Sequence, residues 1–264
     1  MSKLKITTGY SSNNLPYMKM GDSSRILVVF EGLNFNHKPP AGMALRMNSM
    51  MFKVIAQDYS VYLVGRKPGL PEGCTMRDMS NDYAEMIRHD IGSIVDIAGV
   101  STGGPIAQWF AVDHPELIRK LVLVSTGYRL SDFGKQVQLK MLTAARTGSR
   151  RATAAAMSGL ISKGLTKKLL SALFRLMGPV IYDRDMSYGI AELDAEDKFN
   201  FKEWLPEIKV PTLVIGGAED PLYLIRETAK GIPGARLILY EKAGHTAMMK
   251  KDFQMDILNF LNES

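Results

Sequence analysis

The sequence predicts an α/β protein: a doubly wound, mostly parallel sheet with an all-helical insertion after the sixth strand. Three observations predict this. Short runs rich in β-branched and aliphatic residues recur at 25–30, 60–64, 94–98, 121–124, 212–215 and 236–240. Each is a continuous apolar run, the pattern of a strand buried on both faces of a parallel sheet. Helix-compatible segments at 41–58, 79–91, 102–113, 223–230 and 247–261 separate them, and such alternation implies right-handed crossovers. The alternation lapses once, from about 128 to 204, where the sequence is only helix-like and rich in Ala, Leu, Met and Lys.

Taken in order, residues 4–10 and 15–20 supply an antiparallel edge hairpin before the first parallel strand. Within the insertion, helices are predicted at 132–147, 150–162 and 167–176, with Gly164, Gly178 and Pro179 as punctuation. Residues 1–127 and 205–264 therefore form the core, and 128–204 a helical insertion folded over one edge of the sheet. Its methionines, Met141, Met157, Met177 and Met186, either line a pliable apolar pocket or pack between helices. Met157 is taken as a candidate substrate contact.

With 264 residues, the chain suits one α/β unit. A core of this size needs no disulfide or metal staple. The 46% hydrophobic and 23% charged fractions exclude a disordered chain. Cys74 is the sole cysteine, which precludes an intrachain disulfide and fits a reducing compartment. It sits in a turn-like segment with no base beside it and reads as a spare thiol. The first residues lack the apolar core of a signal peptide. Apolar runs fall far short of the roughly 18 residues that span a bilayer. A cytoplasmic protein without stable membrane insertion is expected.

The net charge of +6 is unevenly spread. Residues 128–177 carry +9 and the remainder −3, while 178–204 reverses sign, with seven acids against three bases. A solvated polar face accounts for this; attraction of anionic substrates or of a membrane surface is the sharper alternative. The basic stretch lacks the interleaved aromatics of a single-strand reader, so no nucleic-acid partner is expected.

Chemistry concentrates at strand ends. Gly99-Val100-Ser101-Thr102-Gly103-Gly104 follows one predicted strand and opens a helix. A serine hydroxyl is a weak nucleophile, so it needs exposure, a base and stabilisation of the oxyanion it creates. A sharp strand-to-helix turn exposes Ser101 and places the next amide at a helix N-terminus. Gly99, Gly103 and Gly104 then stand where side chains would collide.

The base should be a histidine. Of the four, His89 and His114 read as surface, and His37 as a lining residue near the pocket entrance. His245 follows the last predicted strand, where open parallel sheets build their sites. Gly216-Gly217-Ala218-Glu219-Asp220-Pro221, again past a strand end, offers the carboxylate that orients the imidazole. Asp220 is preferred and Glu219 read as solvated. The oxyanion donors are expected to be the Thr102 and Leu33 amides, the latter from Glu31-Gly32-Leu33-Asn34, with Asn34 as a further contact.

On these motifs the sequence resembles the α/β-hydrolase superfamily, in particular its small capped esterase-like members. The order Ser101, Asp220, His245 is theirs, Gly65-Arg66-Lys67-Pro68-Gly69-Leu70 is similar to their loop after the second core strand, and 128–204 falls where they carry a cap. One departure is Glu31-Gly32 where members commonly have His-Gly; a carboxylate there either opposes the oxyanion or points away.

The resemblance implies a serine hydrolase, carboxylesterase-like, cleaving a small, largely apolar ester or related acyl substrate through an acyl-enzyme on Ser101. A carbon–carbon bond hydrolase or perhydrolase would use the same three residues. A ligand-binding sensor with little turnover is an alternative of another class, motivated by Glu31 and the basic insertion. The expected partner is a small-molecule substrate, with no cofactor and no metal; a homodimer stays open.

Overall fold

The computed structural model describes residues 4–161, 164–182 and 184–263. The chain opens with β1 (Ile6–Tyr10) and β2 (Pro16–Met20), then β3 (Ile26–Phe30), α1 (Gly42–Phe52), β4 (Ser60–Val64), α2 (Met76–Met86), β5 (Val95–Val100), α3 (Gly103–Asp113) and β6 (Ile118–Val124). Four helices follow: α4 (Asp132–Arg146), α5 (Arg150–Ile161), α6 (Gly164–Ile181) and α7 (Ser187–Asp197). The chain then returns through β7 (Thr212–Gly217), α8 (Ile225–Gly231), β8 (Arg236–Tyr240) and α9 (Phe253–Asn262).

The strands form one sheet in the order β1-β2-β4-β3-β5-β6-β7-β8. β1 and β2 pair antiparallel with each other, β2 pairs antiparallel with β4, and every later pairing is parallel. Side-chain alternation explains the continuous apolar runs. In β3, Val28 and Phe30 join the core under α2, α3 and α8, whereas Leu27 and Val29 join the core under α1 and α9. Both faces are covered, so both sets of side chains must be apolar.

A third core, of Phe35, Met141, Leu142, Ala145, Ala154, Tyr182, Met186 and Leu193, lies within the helical segment and the loop after β3. Gly178 and Pro179 do not break the chain as expected; α6 runs through both. Gly178 serves close packing instead. A Cβ there would stand 2.5 Å from the Arg150 carbonyl oxygen, and the Arg150 guanidinium donates back to the carbonyls of Pro179 and Tyr182. The helix α7 was not foreseen. Nor is the acidic stretch a uniformly solvated face: Glu192 and Glu196 of α7 are buried, while Asp185 and Asp197 are exposed. Asp183, counted in that stretch, and Lys163, counted in the basic one, lie outside the described residues.

Three polar ties fix the helical segment on the sheet. Ser131, the N-cap of α4, accepts from the Gly134 amide at 2.9 Å and donates to the Pro221 carbonyl at 2.5 Å. Arg66, fully buried in the loop after β4, pairs with Glu192 at 2.6 Å. The same guanidinium donates to the carbonyls of Glu31 and Gly32 in the loop after β3. Glu196 supplies the third tie. Among the described residues no helix is long and apolar enough to cross a membrane.

Candidate active site

Ser101 sits between β5 and α3 with φ of +50°, a backbone conformation that L-residues adopt only under constraint. The constraint is steric and hydrogen-bonded. The Ser101 amide donates to the Val124 carbonyl at 2.9 Å, and the Gly104 amide returns to the Ser101 carbonyl at 2.8 Å. A Cβ on Gly99 would stand 2.6 Å from the Ala107 Cβ, and one on Gly103 would overlap the Phe30 carbonyl. Only glycine lets the helix start this close to the neighbouring strand.

Ser101 Oγ lies 3.0 Å from His245 Nε2, and His245 Nδ1 lies 2.8 Å from Asp220 Oδ2. The Asp220 side chain is 1% exposed and the His245 side chain 14%, so the pair is shielded while the imidazole retains access. Asp220 Oδ1 accepts from the Leu222 amide at 2.9 Å, which fixes the carboxylate. The structure thus brings together Ser101, Asp220 and His245, from three loops at the C-terminal ends of β5, β7 and β8. Glu219 is exposed. Such a chain can deprotonate a hydroxyl as it attacks a carbonyl.

A narrow cavity of about 30 Å³ adjoins Ser101. Leu33 and Thr102 line it with Leu130, Met141, Leu193, Glu196, Leu222, Tyr223 and His245. Three residues expected near substrate are engaged elsewhere. Asn34 donates its side-chain amide to Glu31 at 3.2 Å and accepts from the Asn36 amide at 2.8 Å. His37 is buried, stacks on Tyr188 at 5.1 Å and places Nε2 3.8 Å from Glu192. Met157 packs within the helical core, where it accepts from the Tyr182 hydroxyl at 3.3 Å. Met141 takes the lining position, because α4 and not α5 faces the serine.

The Glu31 carboxyl meets Asn34 and lies against Gly65, turned toward the β4 loop. Burial raises its pKa, against the hydrogen bond from Asn34 and the nearby Arg66 charge.

Glu196 and Tyr223 are the site residues that the sequence reading missed. Glu196 accepts from the Tyr223 hydroxyl and, at 3.3 Å, from the Thr102 hydroxyl. The Tyr223 ring stacks on His245 at 5.8 Å. Burial raises the Glu196 carboxyl to about 7, aided by Glu192 and opposed by hydrogen bonds from Tyr223 and Thr102 and by Arg66. One signal was available: Glu192 and Glu196 are one helical turn apart, so one face of α7 carries both acids.

A wider cavity of about 850 Å³ opens between the β1–β2 hairpin and α1, lined by residues that include Ile6, Met20, Met50 and Lys53. It adjoins neither Ser101 nor His245, so size and chemistry part company here. Burial lifts the Cys74 thiol to about 11, which leaves little thiolate near neutral pH. Among the described residues no three His, Cys, Asp or Glu side chains converge to hold a metal ion.

Known proteins bear on this geometry. A 2-hydroxy-6-oxononadienedioate/2-hydroxy-6-oxononatrienedioate hydrolase from Pseudomonas sp is 24% identical over 276 residues, covering 98% of this chain and 95% of that protein. A pimeloyl-[acyl-carrier protein] methyl ester esterase from Neisseria meningitidis is 26% identical over 185 residues, and the match spans 63% of this chain and 56% of the esterase. The crystal structure of an enol-lactonase from Burkholderia xenovorans superposes with a TM-score of 0.75 at 19% identity, covering 97% of this chain and 100% of that one. The sequence model of the α/β hydrolase fold matches residues 26–252, from β3 through β8, and so takes in the parallel part of the sheet and the helical segment. The chain belongs to the α/β hydrolase fold family.

Proposed function

We propose that this chain is a serine hydrolase that cleaves a small, largely apolar ester or related acyl compound through an acyl-enzyme on Ser101. The observation that carries the reading is the linked chain from Ser101 Oγ to His245 Nε2 at 3.0 Å and from His245 Nδ1 to Asp220 at 2.8 Å. Ser101 Oγ attacks the carbonyl carbon while His245 Nε2 takes its proton, and Asp220 holds the imidazole and balances its charge. The carbonyl oxygen becomes an oxyanion received by the Leu33 and Thr102 amides. His245 returns the proton to the leaving alcohol as the acyl–oxygen bond breaks. Water, deprotonated by the same imidazole, then releases the acid. Glu31 is turned toward Gly65, which weighs against one of the two motives for a non-catalytic sensor, the basic insertion being the other.

The helical segment acts as the cap, and the narrowness of the Ser101 cavity supports a small substrate. The test is labelling by a fluorophosphonate probe, with wild type modified at Ser101 and Ser101→Ala silent. Equal labelling of both would remove the assignment.

Carbon–carbon bond hydrolysis by the same residues is the second reading, favoured by the full-length match to the 2-hydroxy-6-oxononadienedioate hydrolase. The cavity favours the ester instead. A dioate brings two carboxylates, whereas this cavity presents the Glu196 carboxyl. Turnover of that dioate in preference to simple esters would reverse the order.

A further inference from the structure

The cavity beside Ser101 is mostly apolar, with the Gln138 amide among its lining besides the groups around the nucleophile. Leu33, Leu130, Met141, Leu193 and Leu222 form its walls, and among the described lining residues Glu196 is the one carboxyl. Glu196 is 3% exposed. It reaches the cavity from α7, a helix of the insertion, and its two oxygens are met by the hydroxyls of Tyr223 and Thr102. Both hydroxyl-bearing residues belong to the immediate surroundings of the nucleophile: Thr102 follows Ser101, and Tyr223 stacks on His245. The carboxyl therefore borders the same cavity as the nucleophile, and its hydrogen-bond partners there are rotatable hydroxyls.

We propose that Glu196 selects the acyl group by charge: the Ser101 site accepts acyl chains that are uncharged or present a hydroxyl donor, and rejects those that carry a carboxylate. The inference rests on the serine-hydrolase reading and adds the substrate class to it. Leu33 and Thr102, whose amides receive the carbonyl oxygen in that reading, line the same cavity. The group lodged there is thus the chain attached to that carbonyl. In a low-dielectric pocket, a substrate carboxylate beside an ionised Glu196 pays like-charge repulsion that solvent does not screen. A substrate hydroxyl can instead donate to Glu196 in place of Tyr223 or Thr102.

The selection should depend on pH, because burial raises the Glu196 carboxyl to about 7. The groups that face it are Thr102 and Tyr223, Glu192 on its own helix, Arg66 from the β4 loop, and His245 across the Tyr223 ring. Ionisation of Glu196 as pH rises through that value strengthens the repulsion.

The experiment follows proton release from ethyl butyrate, ethyl 3-hydroxybutyrate and monoethyl succinate in a pH-stat, for wild type and Glu196→Gln. The wild type at pH 8 is expected to favour ethyl butyrate over monoethyl succinate in kcat/KM by on the order of 100-fold. That ratio should shrink several-fold at pH 6, where the succinate ester remains anionic. Glu196→Gln should lower the ratio at pH 8 and flatten its pH dependence. It should also cut kcat/KM for the hydroxybutyrate ester relative to the butyrate ester. A merely structural carboxyl would scale all three esters together, leaving the ratios fixed, and that result overturns the selection. So does a wild type that hydrolyses the succinate and butyrate esters alike. The pH series on wild type needs no variant, so misfolding of Glu196→Gln does not shield the idea. Failure of the underlying reading looks different: wild type would hydrolyse none of the esters and leave Ser101 unlabelled.

Discussion

Asp220 and His245 are 2.8 Å apart because the aspartate has no freedom to be elsewhere: its second oxygen is held by the Leu222 amide. Asp220→Asn preserves that shape while favouring the wrong imidazole tautomer, so kcat on ethyl butyrate should fall by about 10⁴-fold with little change in thermal stability. Steady-state kinetics beside a melting curve checks both halves. Glu196 gives a prediction on stability. Its carboxyl is raised from 4.5 to about 7 in the folded chain, so the folded state holds a proton that the unfolded state has already released. Wild type therefore loses stability as pH rises from about 4.5 to 7, and the loss levels off above. Glu196→Gln has no such titration, and its stability relative to wild type should rise across that window, by about 3 kcal/mol if the full shift is felt. Urea denaturation at pH 5 and pH 8 measures it; a difference that does not change with pH would refute the buried titration. At this scale the sequence was legible where chemistry leaves a backbone signature. Ser101, Asp220 and His245 each follow a strand and stand within two residues of a glycine or proline. Glu196 and Tyr223 have no such marker. Asn34 and His37 turn away from the Ser101 cavity because proximity along the chain to a strand end does not say which way a side chain points, and Met157 does so because the composition of the insertion does not say which of its helices faces the serine.

The helices of the insertion show what periodicity can and cannot reveal. α4 has a clear apolar stripe, Val137, Met141, Leu142 and Ala145 being buried while Leu139 and Lys140 face solvent, and its span was anticipated. The buried face of α7 carries Gly189, Glu192 and Glu196 beside Leu193, so its sequence shows no apolar stripe to read. The Arg66–Glu192 pair that α7 makes is fully buried at 2.6 Å. Removing one partner strands the other charge, and Glu192→Leu should cost about 3–5 kcal/mol. The joint replacement Arg66→Met with Glu192→Leu should recover much of that loss. Denaturant midpoints of the three variants decide; additive losses would contradict a direct pair. Gly178 gives a further element-level prediction. Gly178→Val forces α6 away from the Arg150 carbonyl and should destabilise by about 1–3 kcal/mol.

For the molecule as a whole, the parallel sheet was legible because strands buried on both faces must be apolar at every position, and its hairpin edge because short alternating segments precede it. How the insertion docks was not legible, since that depends on surfaces far apart in the chain. The docked position leaves about 30 Å³ beside Ser101, room for about two water molecules. Ethyl acetate and ethyl propionate should accordingly show higher kcat/KM than ethyl octanoate, measured in the pH-stat. A preference rising with chain length would mean that the helices stand further from the sheet during turnover.

One guanidinium ties those scales together. Arg66 grips the carbonyls of Glu31 and Gly32 with one hand and Glu192 of α7 with the other. It is a shared rivet between the loop after β3, which carries the proposed Leu33 donor, and the helix that carries Glu196. Whatever lifts the roof of this chamber must therefore tug on the floor, and widening the door to admit a bulkier guest would blunt the tool inside. Attempts to broaden what the protein accepts should leave that rivet in place and whittle Met141 or Leu193 instead.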